Sequence, residues 1–140
     1  MNHIVVGVDG SRAAAAALRW AAGEARRTGA DLVAVHAWLP GPSGVREPDR
    51  AGEQRTVAWA VDALDPVPED LRVRVEVRIG RPVAVLLAAA RRARLLVIGY
   101  DDETALRQRS TARRCRQAAR CEVAVVRASD GTPDSLLVPA

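Results

Sequence analysis

Short apolar runs alternate with longer amphipathic stretches along the whole chain. Ile4 to Val8 is rich in β-branched residues and apolar on both sides, the pattern of a strand buried on both faces of a sheet. Asp31 to Trp38, Arg94 to Gly99 and Glu122 to Val126 also read as strands. Leu71 to Ile79 differs: its Leu, Val and Ile positions alternate strictly with Arg72, Arg74, Glu76 and Arg78. A period of two with one wet face predicts a strand near a sheet edge. Between the strands, Arg12 to Thr28 sets Ala14, Leu18, Ala21 and Ala25 on one helical face, since steps of four, three and four return to the same side. Ser11 is placed to cap that helix and Gly29 to stop it. A second helix is predicted over Asp49 to Leu64, with Val57, Val61 and Leu64 inward and Pro66 and Pro68 ending it. Pro82 suits the first position of a third helix running through Val85, Leu86 and Ala89. A polar loop from Tyr100 to about Gln108 leads to a fourth, near Ser110 to Arg120.

Strands alternating with helices predict an α/β fold: a parallel sheet built from right-handed crossovers, with helices on both faces. In such doubly wound sheets ligands bind beyond the C-terminal strand ends, where the strand order reverses. Those ends carry Asp9-Gly10-Ser11, His36-Ala37-Trp38, Gly80-Arg81-Pro82 and Gly99-Tyr100-Asp101. Residues 1–128 read as one domain. Ser129 to Ala140, with Gly, Pro, Ser and Asp and little pattern, reads as a flexible tail.

Composition narrows the function classes. At 140 residues the chain has room for one core. Aromatic residues make up 3% and Phe is absent, which argues against a stacking platform for single-stranded nucleic acid. All 21 basic residues are Arg, and the formal charge is +4. The complete lack of Lys has the look of a GC-rich bacterial genome, so Arg for Lys says little about function by itself. Cys115 and Cys121 fit neither a zinc pattern nor a redox pair and are expected as small apolar residues in a reducing compartment. The start shows no positively charged leader, and no apolar run is long enough for a bilayer, so a cytoplasmic location is expected. No metal site is expected: the cluster Asp101-Asp102-Glu103 reads as a solvated loop. With no nucleophile elbow, no phosphate-cradling glycine-lysine loop and two distant histidines, no catalysis is expected.

Taken in order, several of these segments resemble the universal stress protein family over residues 3 to 127. The resemblance rests on Ile4-Val5-Val6-Gly7-Val8-Asp9-Gly10-Ser11, on Asp31 to Trp38 with His36, on Gly80-Arg81-Pro82, on Val97-Ile98-Gly99 and on Cys121 to Val126. It implies a doubly wound five-stranded sheet of order 3-2-1-4-5, adenine nucleotide alpha hydrolase-like. It also implies a homodimer through the last strand, here Glu122, Val123, Ala124, Val125 and Val126. One branch of the family binds ATP through Gly, two residues, Gly, nine residues, Gly, then Ser or Thr. Here Gly99 holds the first position and Asp102 stands where the second Gly is wanted. Aligned back from Cys121, the final pair becomes Arg109-Ser110, in a loop three residues shorter. Asp102 and Glu103 add negative charge where phosphates would lie, opposing a triphosphate by roughly 1 to 4 kcal/mol per close pair.

The resemblance places Asp9 near a nucleoside and Ala37 beside the adenine. Arg109, Arg113, Arg116 and Arg120 form one stripe on the last helix, and Arg109 could give a bidentate phosphate contact. The first expectation is therefore a non-catalytic dimeric stress-response module with weak or lost ATP binding. The alternative is an adenine-nucleotide sensor for AMP, cyclic AMP or ATP that uses Arg in place of the glycine-rich loop. Its candidate residues are Asp9, Ala37, Gly99, Asp102, Arg109 and Ser110. A membrane is not expected as a partner. Nucleic acid contact through the Arg stripe is the weakest alternative.

Overall fold

β1 (His3–Gly7) runs up the middle of a five-stranded parallel sheet, with β2 (Asp31–Trp38) on one side and β4 (Leu95–Tyr100) on the other. β3 (Val73–Ile79) and β5 (Glu122–Arg127) form the edges, so the order is β3-β2-β1-β4-β5, as expected. The computed structural model describes residues 2–39, 50–101 and 106–133, and side chains throughout these except at 106–110. The expected loop at Pro40 to Gly44 and residue Asp102 lie outside the described residues.

The sheet divides the core in two. On one face Ile4, Val6, Leu32, Ala34, Val97, Ala124 and Val126 pack under α1 (Arg12–Thr28) and α2 (Arg50–Ala63). On the other, Val5, Val33, Val35, Leu96, Ile98, Val123 and Val125 pack under α3 (Pro82–Ala89) and α4 (Leu106–Ala118). Alternate residues of one strand feed opposite cores because side chains alternate across a sheet. Each fully buried Val or Leu contributes roughly 1.5 to 3 kcal/mol.

The α1 boundaries follow local chemistry. Ser11 Oγ accepts from the Ala14 N–H at 3.1 Å, and Gly29 closes the helix at φ 71°, in the left-handed region. α3 starts with Pro82 at its first turn.

Two helices depart from the sequence reading. In α2, Val57 and Val61 are exposed at 46% and 48%, while Thr56, Ala60 and Ala63 are buried. Only Leu64, just past the helix end, is inward as expected. Ala60 and Ala63 join the same core cluster as Ala16, Leu18, Ala21 and Ala22 of α1, and the buried residues of α2 are all small. The Thr56 hydroxyl is satisfied by donating to the Gly52 carbonyl at 2.9 Å. In α4 the helix begins at Leu106, one turn before the predicted start. Leu106, Arg107 and Gln108 are good helix formers, and neither Gly nor Pro interrupts them. Ser110 is thus the fifth helical residue and not the first.

Residues 129–133, read as tail, fold back on the sheet edge. Gly131 N–H donates to the Arg127 carbonyl at 2.8 Å, Arg127 N–H donates to the Thr132 carbonyl at 3.0 Å, and Val126 bridges Pro133 antiparallel.

Candidate functional site

The strand order reverses between β1 and β4, and a cleft opens there. Gly7, Val8 and Asp9 reach it from β1, and Val35, His36 and Ala37 from β2. β4 brings Ile98 and Gly99, α3 brings Pro82 and Leu86, and Thr111 comes from α4. Its volume is about 110 Å³. Parallel strands place all their C-terminal ends on one side, which is why residues this far apart in sequence converge.

The walls are mostly apolar, and Asp9 is the only charged side chain among the described lining residues. Its carboxylate Oδ1 accepts from the Ser11 N–H at 2.9 Å. That bond shapes the turn into α1 and fixes the acid at the rim. Ser11 and Ala14 also line the cleft, so the N-terminal end of α1, with its positive dipole, faces it.

His36 stands at the end of β2. Its Nδ1 lies 2.8 Å from the Val8 carbonyl. A carbonyl only accepts, so Nδ1 is the donor in this contact. Trp59 of α2 meets the His36 ring edge-on at 5.2 Å between centroids. Trp59 also lies over Gly10, whose φ is 82°. A Cβ at Gly10 would stand 2.6 Å from the indole. Arg12 and Asp101 form an ion pair at 2.7 Å that ties the start of α1 to the end of β4.

The structure brings Asp9, Ala37 and Gly99 together in one cleft, as the sequence suggested. Gly99, however, has a packing reason of its own. A Cβ there would lie 2.1 Å from the Ala13 carbonyl oxygen, so this glycine lets β4 pass directly under the first turn of α1. Arg109 and Ser110 are the fourth and fifth residues of α4. Asp102 lies outside the described residues. Trp59, Thr111 and the Arg12–Asp101 pair went unnoticed in the sequence. Each depends on a long-range contact with no local motif. No group of three or more metal-ligating side chains occurs among the described residues. No helix among them is long and apolar enough to cross a membrane. Cys115 is buried and Cys121 half-buried, and both are free thiols.

A doubly wound sheet of order 3-2-1-4-5 with a cleft at its switch point places the chain among the adenine nucleotide alpha hydrolase-like folds. A model of the Universal stress protein family matches residues 1–127. The chain belongs to the universal stress protein family. It is 32% identical over 132 residues to Universal stress protein Rv2028c of Mycobacterium tuberculosis, covering 89% of this chain and 47% of that protein. The chain thus spans about half the length of the curated relatives it matches. The universal stress protein from Archaeoglobus fulgidus in complex with dAMP superposes with a TM-score of 0.66 at 28% identity, covering 89% of this chain and 97% of the other. A universal stress protein in complex with cAMP has a TM-score of 0.65 at 22% identity, covering 91% and 97%. That second likeness speaks to the fold alone.

Proposed function

We propose that this chain is a non-catalytic regulatory module of a bacterial stress response, and that its cleft takes an adenine nucleotide with a single phosphate, AMP or cyclic AMP, in preference to ATP. The observation that carries this reading is the character of the cleft. Val35, Ala37, Leu86 and Ile98 offer an apolar slot for a base, and Asp9 at the rim offers an acceptor for ribose hydroxyls. The A. fulgidus relative, at 28% identity, holds dAMP.

Triphosphate binding has weaker support. Two of the three motif glycines are missing from the sequence. A Cβ at the remaining one, Gly99, would meet the Ala13 backbone, so packing against α1 already accounts for this glycine. Asp101, Asp102 and Glu103 follow β4 in the sequence as three consecutive acids. Arg12 neutralises part of that charge through Asp101. Arg109, in the first turn of α4, is the candidate for the single phosphate.

Calorimetric titration with AMP, cyclic AMP, dAMP and Mg-ATP tests this. A monophosphate is expected to bind at least tenfold more tightly than ATP. Asp9→Asn, which keeps the acceptor for the Ser11 N–H and removes the charge, is expected to weaken that binding about tenfold. ATP binding as tightly as AMP would overturn the preference. No binding of any of them at millimolar concentration would leave a module that has lost its ligand.

A dimer through β5 is the second part of the proposal. β5 is an edge strand, and its outer backbone groups from Glu122 to Val125 are unpaired among the described residues. Such an edge invites a second strand, and two identical edges close a two-fold dimer. The turn that pairs Val126 and Arg127 with residues 132 and 133 limits how far the pairing extends. Light scattering at high concentration is expected to give twice the chain mass of 15.0 kDa. A strict monomer refutes the interface.

A further inference from the structure

We infer that the outer surface of α3 and α4 is a docking face for the phosphate backbone of duplex nucleic acid. Residues 81–94 carry four arginines and residues 106–120 carry six, and neither stretch holds a single Asp or Glu. These stretches are α3 and α4 with their flanking turns, which form one layer over one face of the sheet. The formal charge of that layer is +10, while the rest of the chain sets eleven arginines against all 17 carboxylates. A net charge of +4 therefore hides a strongly one-sided molecule. Codon bias explains why the basic residues are Arg rather than Lys. It does not explain the loss of every acid from two helices, where Glu is a good helix former and usually pairs with Arg one turn away. α1 shows the ordinary arrangement, with Glu24 and Arg27 paired at 2.7 Å.

Arg91, Arg92, Arg113, Arg114 and Arg120 are exposed, and none has a carboxylate partner among the described residues. By contrast Arg12, Arg26, Arg27, Arg72, Arg78 and Arg127, all outside the layer, each sit in an ion pair. Arg91 at the end of α3 and Arg120 beyond α4 line one shallow groove between the helices, floored by Leu87, Ala88, Ala118 and Ala119. A guanidinium fork suits phosphate oxygens.

The surroundings select the kind of polyanion. No large apolar side chain is exposed on α3 or α4 among the described residues; the exposed ones are Leu39, Val57, Val61, Val67 and Ile79. A membrane-surface helix needs such anchors. The face also carries no aromatic ring, so it cannot stack unpaired bases. What remains is attraction to a regular backbone of phosphates without base readout. α4, about 20 Å long at 1.5 Å per residue, meets several phosphates of a duplex that carries one charge per ~1.7 Å of axis.

The test is fluorescence anisotropy with a labelled 20-base-pair DNA duplex in 50 to 200 mM NaCl. Four or so phosphate contacts give a logarithmic salt slope of about −3.6, so affinity is expected to fall about 150-fold across that range. Arg113→Gln with Arg114→Gln is expected to flatten the slope by about two. Arg50→Gln with Arg55→Gln removes the same charge from α2, on the opposite face, and is expected to leave the slope nearly unchanged. Equal effects of the two double variants would reduce the binding to net charge and overturn the assignment. So would absence of duplex binding at 50 mM salt, or binding to vesicles containing 30% phosphatidylglycerol without binding to the duplex. Circular dichroism of both variants guards against misfolding, and neither pair touches the nucleotide cleft.

Discussion

Replacing Gly99 with alanine is expected to lower the unfolding midpoint by about 10 °C with no ligand present. The new Cβ would sit 2.1 Å from the Ala13 carbonyl oxygen and 2.5 Å from its carbon. Both are backbone atoms in the first turn of α1, so no side-chain rotation relieves the overlap. Either α1 or β4 has to move, and both belong to the central packing of the domain. Overpacking of this kind costs about 3 kcal/mol, and at this chain length each kcal/mol moves the midpoint by roughly 3 °C. Gly23, in the middle of α1, is the natural control. Nothing lies within 4 Å of a Cβ placed there, so Gly23→Ala is expected to stabilise by about 0.5 to 1 kcal/mol through helix propensity. If Gly99→Ala melted with the parent, the close contact would be relieved elsewhere and the glycine would need another explanation. The result bears on function as well. A glycine demanded by helix–strand contact in the empty protein is not by itself evidence of a phosphate loop.

That distinction marks how far the sequence was readable. β2 spans Asp31–Trp38, the segment the sequence predicted, because its apolar run from Leu32 to Val35 is buried on both faces of the sheet. The α1 limits were legible because caps are local: one hydroxyl at Ser11 and one left-handed glycine at Gly29. The convergence of Asp9, Ala37 and Gly99 followed from topology once the strands were known, since parallel strands end on the same side. The inward face of α2 was misread because hydrophobicity was taken to mean burial. There the buried positions are the small Thr56, Ala60 and Ala63, and Val57 and Val61 are turned outward. The start of α4 was misread because the polar composition of Tyr100 to Gln108 was taken to mean a loop, whereas helix propensity carries the helix back to Leu106. Trp59 against His36 and Arg12 against Asp101 join residues 23 and 89 positions apart. No local pattern announces such pairs.

The one-sided charge is visible in the sequence only as a stripe of Arg on the last helix. Its weight became apparent only when the fold set α3 beside α4 and showed where the carboxylates are not. Charge distribution is a property of surfaces, and a linear reading sees only one helix at a time. The cleft and the Arg layer also differ in kind. Among the described residues the cleft is mostly apolar with a single acid, suited to one small ligand. The layer is open and one-signed, suited to a long polyanion.

Between pH 9 and pH 11 the folded protein is expected to lose stability on the order of 2 kcal/mol. Burial pushes the Cys115 thiol up to about 11, with the neighbouring Cys121 adding to the shift, and Cys121 is itself raised by burial. In the unfolded chain both thiols ionise near pH 8.5 to 9. A group with a raised folded pKa gives its full stabilisation below the unfolded value, where both states hold the proton. Above it the unfolded chain releases the proton first, so stability falls until the folded pKa is passed. The window is unusually clean in this protein. There is no Lys to titrate, Arg stays charged, and the chain has a single Tyr. Thermal midpoints measured from pH 8 to pH 11 under reducing conditions should therefore slope downward above pH 9. Cys115→Ala is expected to start from a lower midpoint, because it leaves a small gap under α4, and then to show a markedly flatter decline. Parallel slopes for the two proteins would mean that Cys115 does not drive the alkaline loss, and would move the cause to Cys121 or Tyr100.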